Sequence, residues 1–361
     1  MNVLILTGSF GLGHISVSKA IKQEILKTYP HSNVHIQDAI KLIAPKSYKT
    51  IYNSFNFLVK HCKGYYNIYH KLSKNFEFDG NIFLENYILL KMSELINKEE
   101  PELIVSTLPL CTIFASVYKR RVDNKIPLIT CITDISKHNE WYNSYTDYYF
   151  APTVEIKNAL VSKGFNADNI FVTGIPVKQN FLNYTKTIDL NRNSKNLLIM
   201  GGGLGLIPRA NDFYRKLNNN KAIKTTIILG KNEEMYKEMT QKYPNLNIVG
   251  YTTKVAEHMH HADLIVTKPG GVSMFEAIHS ELPIICLKPY LNQEKYNAHF
   301  IENEGIGKVL WSSKNDIAEV VTKTLNSNST LNHYKYNLKR VKKGFNINNI
   351  PHLLCDLQST I

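Results

Sequence analysis

Three short stretches of this 361-residue chain carry side chains that can do chemistry. The first is Gly8-Ser9-Phe10-Gly11-Leu12-Gly13-His14, a glycine-rich turn that ends on a histidine. An imidazole with the ordinary pKa of about 6.5 can take a hydroxyl proton at neutral pH. The second is Thr133-Asp134, with His138 and Trp141 close behind. Asp134 closes an apolar run, and the C-terminal ends of strands are where open α/β sheets hold their ligands. The third runs from Lys268 through Pro269, Gly270, Gly271 and Ser273 to Glu276, and is followed by Gln293, Glu294 and Asn297. A glycine turn opening into a helix aims free backbone N–H groups and the positive end of the helix dipole at its occupant, which favours phosphate. Amides and carboxylates after the next strand suit the hydroxyls of a sugar. Each stretch also has a plain structural reading. His14 can simply start a helix, Asp134 can cap one, Trp141 can be core, and Glu276 can close a capping box with Ser273 as N-cap.

The elements that position these residues follow from hydrophobic patterning. Apolar runs at 2–7, 101–109, 126–134, 146–153 and 169–177 predict buried parallel strands in the first half, with helical spacing over 15–29. The pattern restarts at 196–200 and recurs at 225–230, 245–252, 262–267, 282–288 and 306–311. A second strand–glycine loop, Gly201 to Gly205, opens this half, and Gly202 and Gly203 let a backbone approach a diphosphate closely. The sequence therefore predicts an α/β chain of two Rossmann-like domains. Residues 1–177 form the first and 196–335 the second, with a polar linker over 178–195 and a helical tail over 336–361 that can pack back on the first domain. As a dinucleotide fingerprint the first glycine loop is weak, because Asp38 is the sole ambiguous candidate for the acidic partner.

Taken together, the GxGH loop, the Thr133-Asp134…His138…Trp141 series and the Lys268-Pro269-Gly270-Gly271…Glu276…Gln293-Glu294…Asn297-Ala298 series resemble the inverting GT-B glycosyltransferases. Within these the chain is similar to the diacylglycerol glycosyltransferases, namely monogalactosyldiacylglycerol synthases and processive diacylglycerol glucosyltransferases. The resemblance spans nearly the whole chain. It implies two parallel-sheet domains facing a central cleft, a UDP-hexose donor (glucose or galactose) and a diacylglycerol-type lipid acceptor. It implies His14 and Asp134 as catalytic residues, with Gly13, His138 and Trp141 on the acceptor side. It places Gly202, Gly203, Tyr251, Lys268, Gly270, Gly271 and Ser273 on the donor, Glu276 on its ribose, and Gln293, Glu294 and Asn297 on its hexose. No Asp-x-Asp occurs in the chain, and no metal or other cofactor is expected.

Composition narrows the partners. The net charge of +13 calls for something anionic: nucleic acid, a membrane surface or phosphate-bearing small molecules. Residues 41–74 hold seven lysines and no aspartate or glutamate, interleaved with tyrosines and phenylalanines. Such a stretch suits an anionic membrane interface, single-stranded nucleic acid, or an amphipathic helix pair with an aromatic core. The resemblance favours the membrane over nucleic acid and makes Lys60, Lys63, Tyr65 and Tyr66 its contacts. Five scattered cysteines without a C-x-x-C pair read as reduced thiols, mostly core. No signal-peptide pattern and no apolar run of about 18 residues is found, so a cytoplasmic chain attached peripherally to the inner face of the cell membrane is expected. Three rival readings share parts of this pattern: transfer to a polyprenyl-linked acceptor, a UDP-sugar epimerase, and a non-catalytic basic protein.

Overall fold

Short runs of branched apolar residues, hidden on both faces, make the strands, as a parallel sheet covered by helices requires. The computed structural model describes residues 1–61, 82–183, 194–289, 291–312 and 316–345. The chain divides into two compact units, with the described residues up to Gln179 and Phe345 in one and the described residues of Asn180–Gly344 in the other.

The N-terminal unit carries a six-stranded sheet in the order β2-β1-β3-β4-β5-β6. Its strands are β1 (Asn2–Thr7), β2 (Asn33–Asp38), β3 (Leu103–Ser106), β4 (Leu128–Cys131), β5 (Tyr148–Ala151) and β6 (Ile170–Val172), all paired in parallel. Leu4, Leu6, Ile104 and Leu128 from the sheet pack with Met92 and Phe114 from two helices, Ile82–Glu99 and Pro109–Val122. Each such side chain contributes about 1.5–3 kcal/mol by leaving water.

The C-terminal unit repeats the scheme in the order β12-β11-β10-β7-β8-β9. Here the strands are β7 (Lys195–Met200), β8 (Ile223–Ile228), β9 (Asn247–Val249), β10 (Leu264–Thr267), β11 (Ile284–Cys286) and β12 (Gly307–Val309). Leu197, Ile199, Ile227, Leu264 and Val266 form the core with Phe213, Leu217, Met239 and Val321.

In each sheet the chain winds outward from the first strand in one direction, then crosses back and winds in the other. The resulting switch points lie between β1 and β3 and between β7 and β10, where open sheets of this type bind ligands.

Two features differ from the sequence-based expectation. Strand β2, NVHIQD, is too polar to announce itself; it is the sheet's edge and needs little apolar surface. Ser273 does not cap the following helix, which starts at Gly271 with Gly270 as its N-cap and no side-chain cap bond. The capping-box reading of Ser273 and Glu276 falls with it.

The boundary drawn after residue 335 falls inside one continuous helix, Asn328–Lys343, which packs against helix Gly271–His279 of its own unit. Residues 346–361 of the expected tail and 184–193 of the expected linker lie outside the described residues.

Candidate functional site

At the N-terminal switch point, the loop after β1 turns through Gly11, whose φ of +83° is comfortable only for glycine. Helix α1 (Gly13–Thr28) then starts without a side-chain cap on its first turn. His14 is its second residue. Its Nδ1 lies 2.8 Å from the carbonyl oxygen of Thr107, just past β3, and 3.1 Å from Thr133 Oγ1, past β4. A carbonyl only accepts, so Nδ1 carries the proton and donates it to Thr107 O. Nε2 is thereby left with its lone pair. Burial lowers the His14 pKa below 6.5, against the upward pull of the Thr107 carbonyl and the negative charge of Asp134. The ring is thus held neutral, in the tautomer a base at Nε2 needs.

Asp134 follows β4. Its Oδ1 accepts from Ser136 N at 3.0 Å, from the Ser136 hydroxyl, and from Trp141 Nε1 at 3.3 Å. Burial nevertheless raises its pKa above 3.8, outweighing those bonds and the attraction of His14. Asp134 therefore acts on His14 through its field, while Thr107 and Thr133 hold the ring. Trp141 is buried, and its indole N–H orients Asp134. His138 is half-buried where the short turn Asn139–Trp141 begins. The side chain of Lys60, and the whole of Lys63, Tyr65 and Tyr66, lie outside what the structure describes.

At the C-terminal switch point, the loop Gly201–Gly205 follows β7 and Lys268 follows β10. A Cβ on Gly201 would sit 2.3 Å from Leu206 N, and one on Gly205 would sit 2.0 Å from Leu229 O, so this backbone fits no other residue there. Gly202 differs. Its φ is +69°, and an added Cβ would meet only Lys268 Cε, at 3.4 Å. Gly202 and Lys268 therefore line one place.

Helix α2 (Gly271–His279) starts beside them, its first-turn N–H groups unclaimed by any cap side chain. Ser273 lies in that first turn, and Glu276 is buried one turn on. Lys268 Nζ pairs with Glu294 Oε1 at 3.1 Å. Glu294 also accepts from Leu291 N at 3.3 Å, closing the start of helix α3 (Asn292–Asn303). Gln293 is half-buried in the same turn. Asn297, expected on a sugar, donates Nδ2 to the Pro269 carbonyl at 2.9 Å and so fixes the glycine turn. Tyr251 stands exposed after β9.

The partners that define the first site were not individually readable in sequence. Thr107 lies 93 residues from His14, and only its place at a strand end hinted at it.

The family model described as monogalactosyldiacylglycerol (MGDG) synthase matches residues 14–177, and that of the glycosyltransferase family 28 C-terminal domain matches residues 196–347. Between them they take in both units. A processive diacylglycerol beta-glucosyltransferase of Bacillus licheniformis is 29% identical over 363 residues, covering 94% of this chain and 90% of the relative. Among solved structures, Acinetobacter baumannii MurG has a TM-score of 0.63 at 14% identity, over 99% of this chain and 100% of that one. The Neisseria meningitidis UDP-GlcNAc 2-epimerase has a TM-score of 0.62 at 16% identity, over 100% of both chains. At such identities the two structures establish the GT-B-like fold.

Proposed function

The chain belongs to the family of monogalactosyldiacylglycerol synthases and processive diacylglycerol glucosyltransferases, and on that premise we propose that it transfers a hexose from a UDP-sugar to a diacylglycerol-type lipid, with inversion, at a membrane surface. The observation that carries the reading is the C-terminal switch point. There an uncapped helix start, Gly202 and the Lys268–Glu294 pair occupy one place. Open N–H groups at a helix start, with a lysine beside them, suit an anion.

The diphosphate sits on the N–H groups of Gly271, Val272 and Ser273 and on the Gly202–Gly203 backbone. Lys268 turns from Glu294 toward it. Glu276 takes the ribose hydroxyls, Tyr251 lies against the base, and Gln293 and Glu294 hold the hexose.

In the chemical step, His14 Nε2 removes the proton of the acceptor hydroxyl. That oxygen forms a bond to the anomeric carbon, and the bond from that carbon to the diphosphate oxygen breaks. Its electron pair leaves on UDP, where the helix dipole and Lys268 stabilise the new charge. Asp134 stabilises the imidazolium that forms. Backbone dipoles and a lysine do the work a divalent ion does elsewhere, so the proposal contains no metal.

Attachment to the inner face of the cell membrane is supported by helix Tyr48–His61, with Lys49 on it and Lys41 and Lys46 just before it. Exposed Phe57, Phe83 and Leu90 support it too. No described helix is long and apolar enough to cross a membrane.

The test is to incubate the purified chain with liposomes of diacylglycerol and anionic phospholipid, supplying UDP-glucose or UDP-galactose, and to chromatograph the lipids. A new glycolipid from one donor supports the reading and names the sugar. Donor binding with no glycolipid would move the acceptor assignment elsewhere, and absence of donor binding would refute it.

A further inference from the structure

One partly buried polar cluster beside the first glycine loop has no part in the mechanism above. Tyr52, on helix Tyr48–His61, is nearly buried, and its hydroxyl donates to Asp38 Oδ1 at 2.7 Å. The same hydroxyl accepts the backbone N–H of Ser9 at 2.9 Å, while Ser9 Oγ donates to Asp38 Oδ2 at 3.0 Å. The three groups close a ring of hydrogen bonds around the start of the loop that ends on His14. Phe10 completes the attachment. Its ring meets Tyr52 and Phe55 edge-on, with centroids 5.1 and 4.9 Å apart.

Gly8 and Gly11 would leave this loop with many conformations, so something outside it has to select one. We propose that Tyr52, with Asp38, is a positioning residue that locks the Ser9–Phe10 end of the glycine loop and thereby holds His14 at the place where it meets the acceptor.

The arrangement has a functional consequence. The helix that carries Tyr52 is the one assigned to the lipid surface, so acceptor-side helix and base are fixed to each other by one cluster. Burial and the Asp38 carboxylate both push the Tyr52 hydroxyl above its ordinary pKa, so it stays a donor throughout the working range. The inference rests on the reading of His14 as the base of a lipid glycosyltransferase.

A double-mutant cycle tests it. Tyr52→Phe removes one oxygen and keeps the ring against Phe10. The expected result is a kcat about tenfold lower, since small displacements of a reacting group cost one to two orders of magnitude. Donor KM should stay within about twofold. In a His14→Ala background, the same Tyr52→Phe change should cost less than about twofold, because the group it positions is gone.

An undiminished kcat in Tyr52→Phe would overturn the proposal. So would an equal loss in both backgrounds, which would mark the hydroxyl as merely structural. Should Tyr52→Phe fail to fold, Ser9→Ala repeats the cycle with the ring untouched. A loss of about threefold confined to the His14 background is then expected, and no loss would overturn the proposal. A wild-type chain that formed no glycolipid would instead remove the reading beneath it.

Discussion

With His14 as the base, the direction in which activity depends on pH is fixed. With Nδ1 donating to Thr107 O at 2.8 Å, the ring's basic nitrogen is Nε2. Because burial depresses its pKa below 6.5, the ring gives up its second proton at a lower pH than an ordinary imidazole does. The sign follows directly. A base works in its deprotonated form, so the acid limb of the activity profile lies at lower pH than an ordinary imidazole would give. An ordinary imidazole would instead be half-protonated at 6.5. The same depression means that folding stability contributed by neutral His14 is present above the unfolded-state pKa and lost as pH falls through the folded value.

Replacing His14 with alanine removes general-base assistance, worth about 10²–10⁴-fold in rate. That range corresponds to about 3–5 kcal/mol of barrier at 1.36 kcal/mol per tenfold. The assay is glycolipid formation from labelled UDP-hexose at saturating donor between pH 5 and 9, beside calorimetric UDP binding to both proteins. The expected result is a slow His14→Ala enzyme that binds UDP normally and has lost the acid limb. A folded His14→Ala protein within about fivefold of wild type, or one keeping the same acid limb, would show that His14 is not the base.

Further outcomes follow from the same geometry. Asp134→Asn keeps an acceptor for Ser136 and Trp141 but removes a buried charge. Because the folded pKa of Asp134 is raised, its stability contribution is greatest below the unfolded-state pKa and is lost as pH rises through the folded value. Thermal melting at pH 7.5 should therefore show a higher midpoint in Asp134→Asn, while turnover falls about tenfold or more; a lower midpoint would contradict this. Lys268→Met takes a cation from the phosphate place and one partner from Glu294, so donor KM should rise about tenfold with a smaller change in kcat. At the second glycine loop, Gly205→Ala drives a methyl into a backbone carbonyl and should unfold the C-terminal unit. Gly202→Ala meets only a lysine methylene and a backbone strain of about 1–2 kcal/mol. Circular dichroism should find Gly202→Ala folded, and calorimetry should find its UDP binding weakened.

What could be read from sequence was local. Runs such as NVLILT and LIVT are apolar on both faces, and only a strand inside a covered parallel sheet needs that pattern. The glycine loops were legible because a bend between strand and helix demands glycine. β2 was not, since an edge strand carries polar residues. The start of α2 was misread because Ser273 has the chemistry of a cap, whereas the backbone places Gly270 there and leaves the N–H groups open. Asn297 and Trp141, expected on the sugar and the acceptor, donate N–H groups to Pro269 and Asp134. The contacts that His14 and Ser9 themselves make join residues separated by 29 to 119 positions. No spacing rule reaches that far; only the strand order brings them together.

A direct inverting displacement onto diacylglycerol leaves its mark in the anomeric configuration of the product. Glycolipid made from the α-linked UDP-hexose on diacylglycerol liposomes would be purified and its anomeric proton coupling read by NMR. Direct displacement gives a β-glycoside on the free glycerol hydroxyl. An α-glycoside, or free hexose and UDP with no glycolipid, would contradict it.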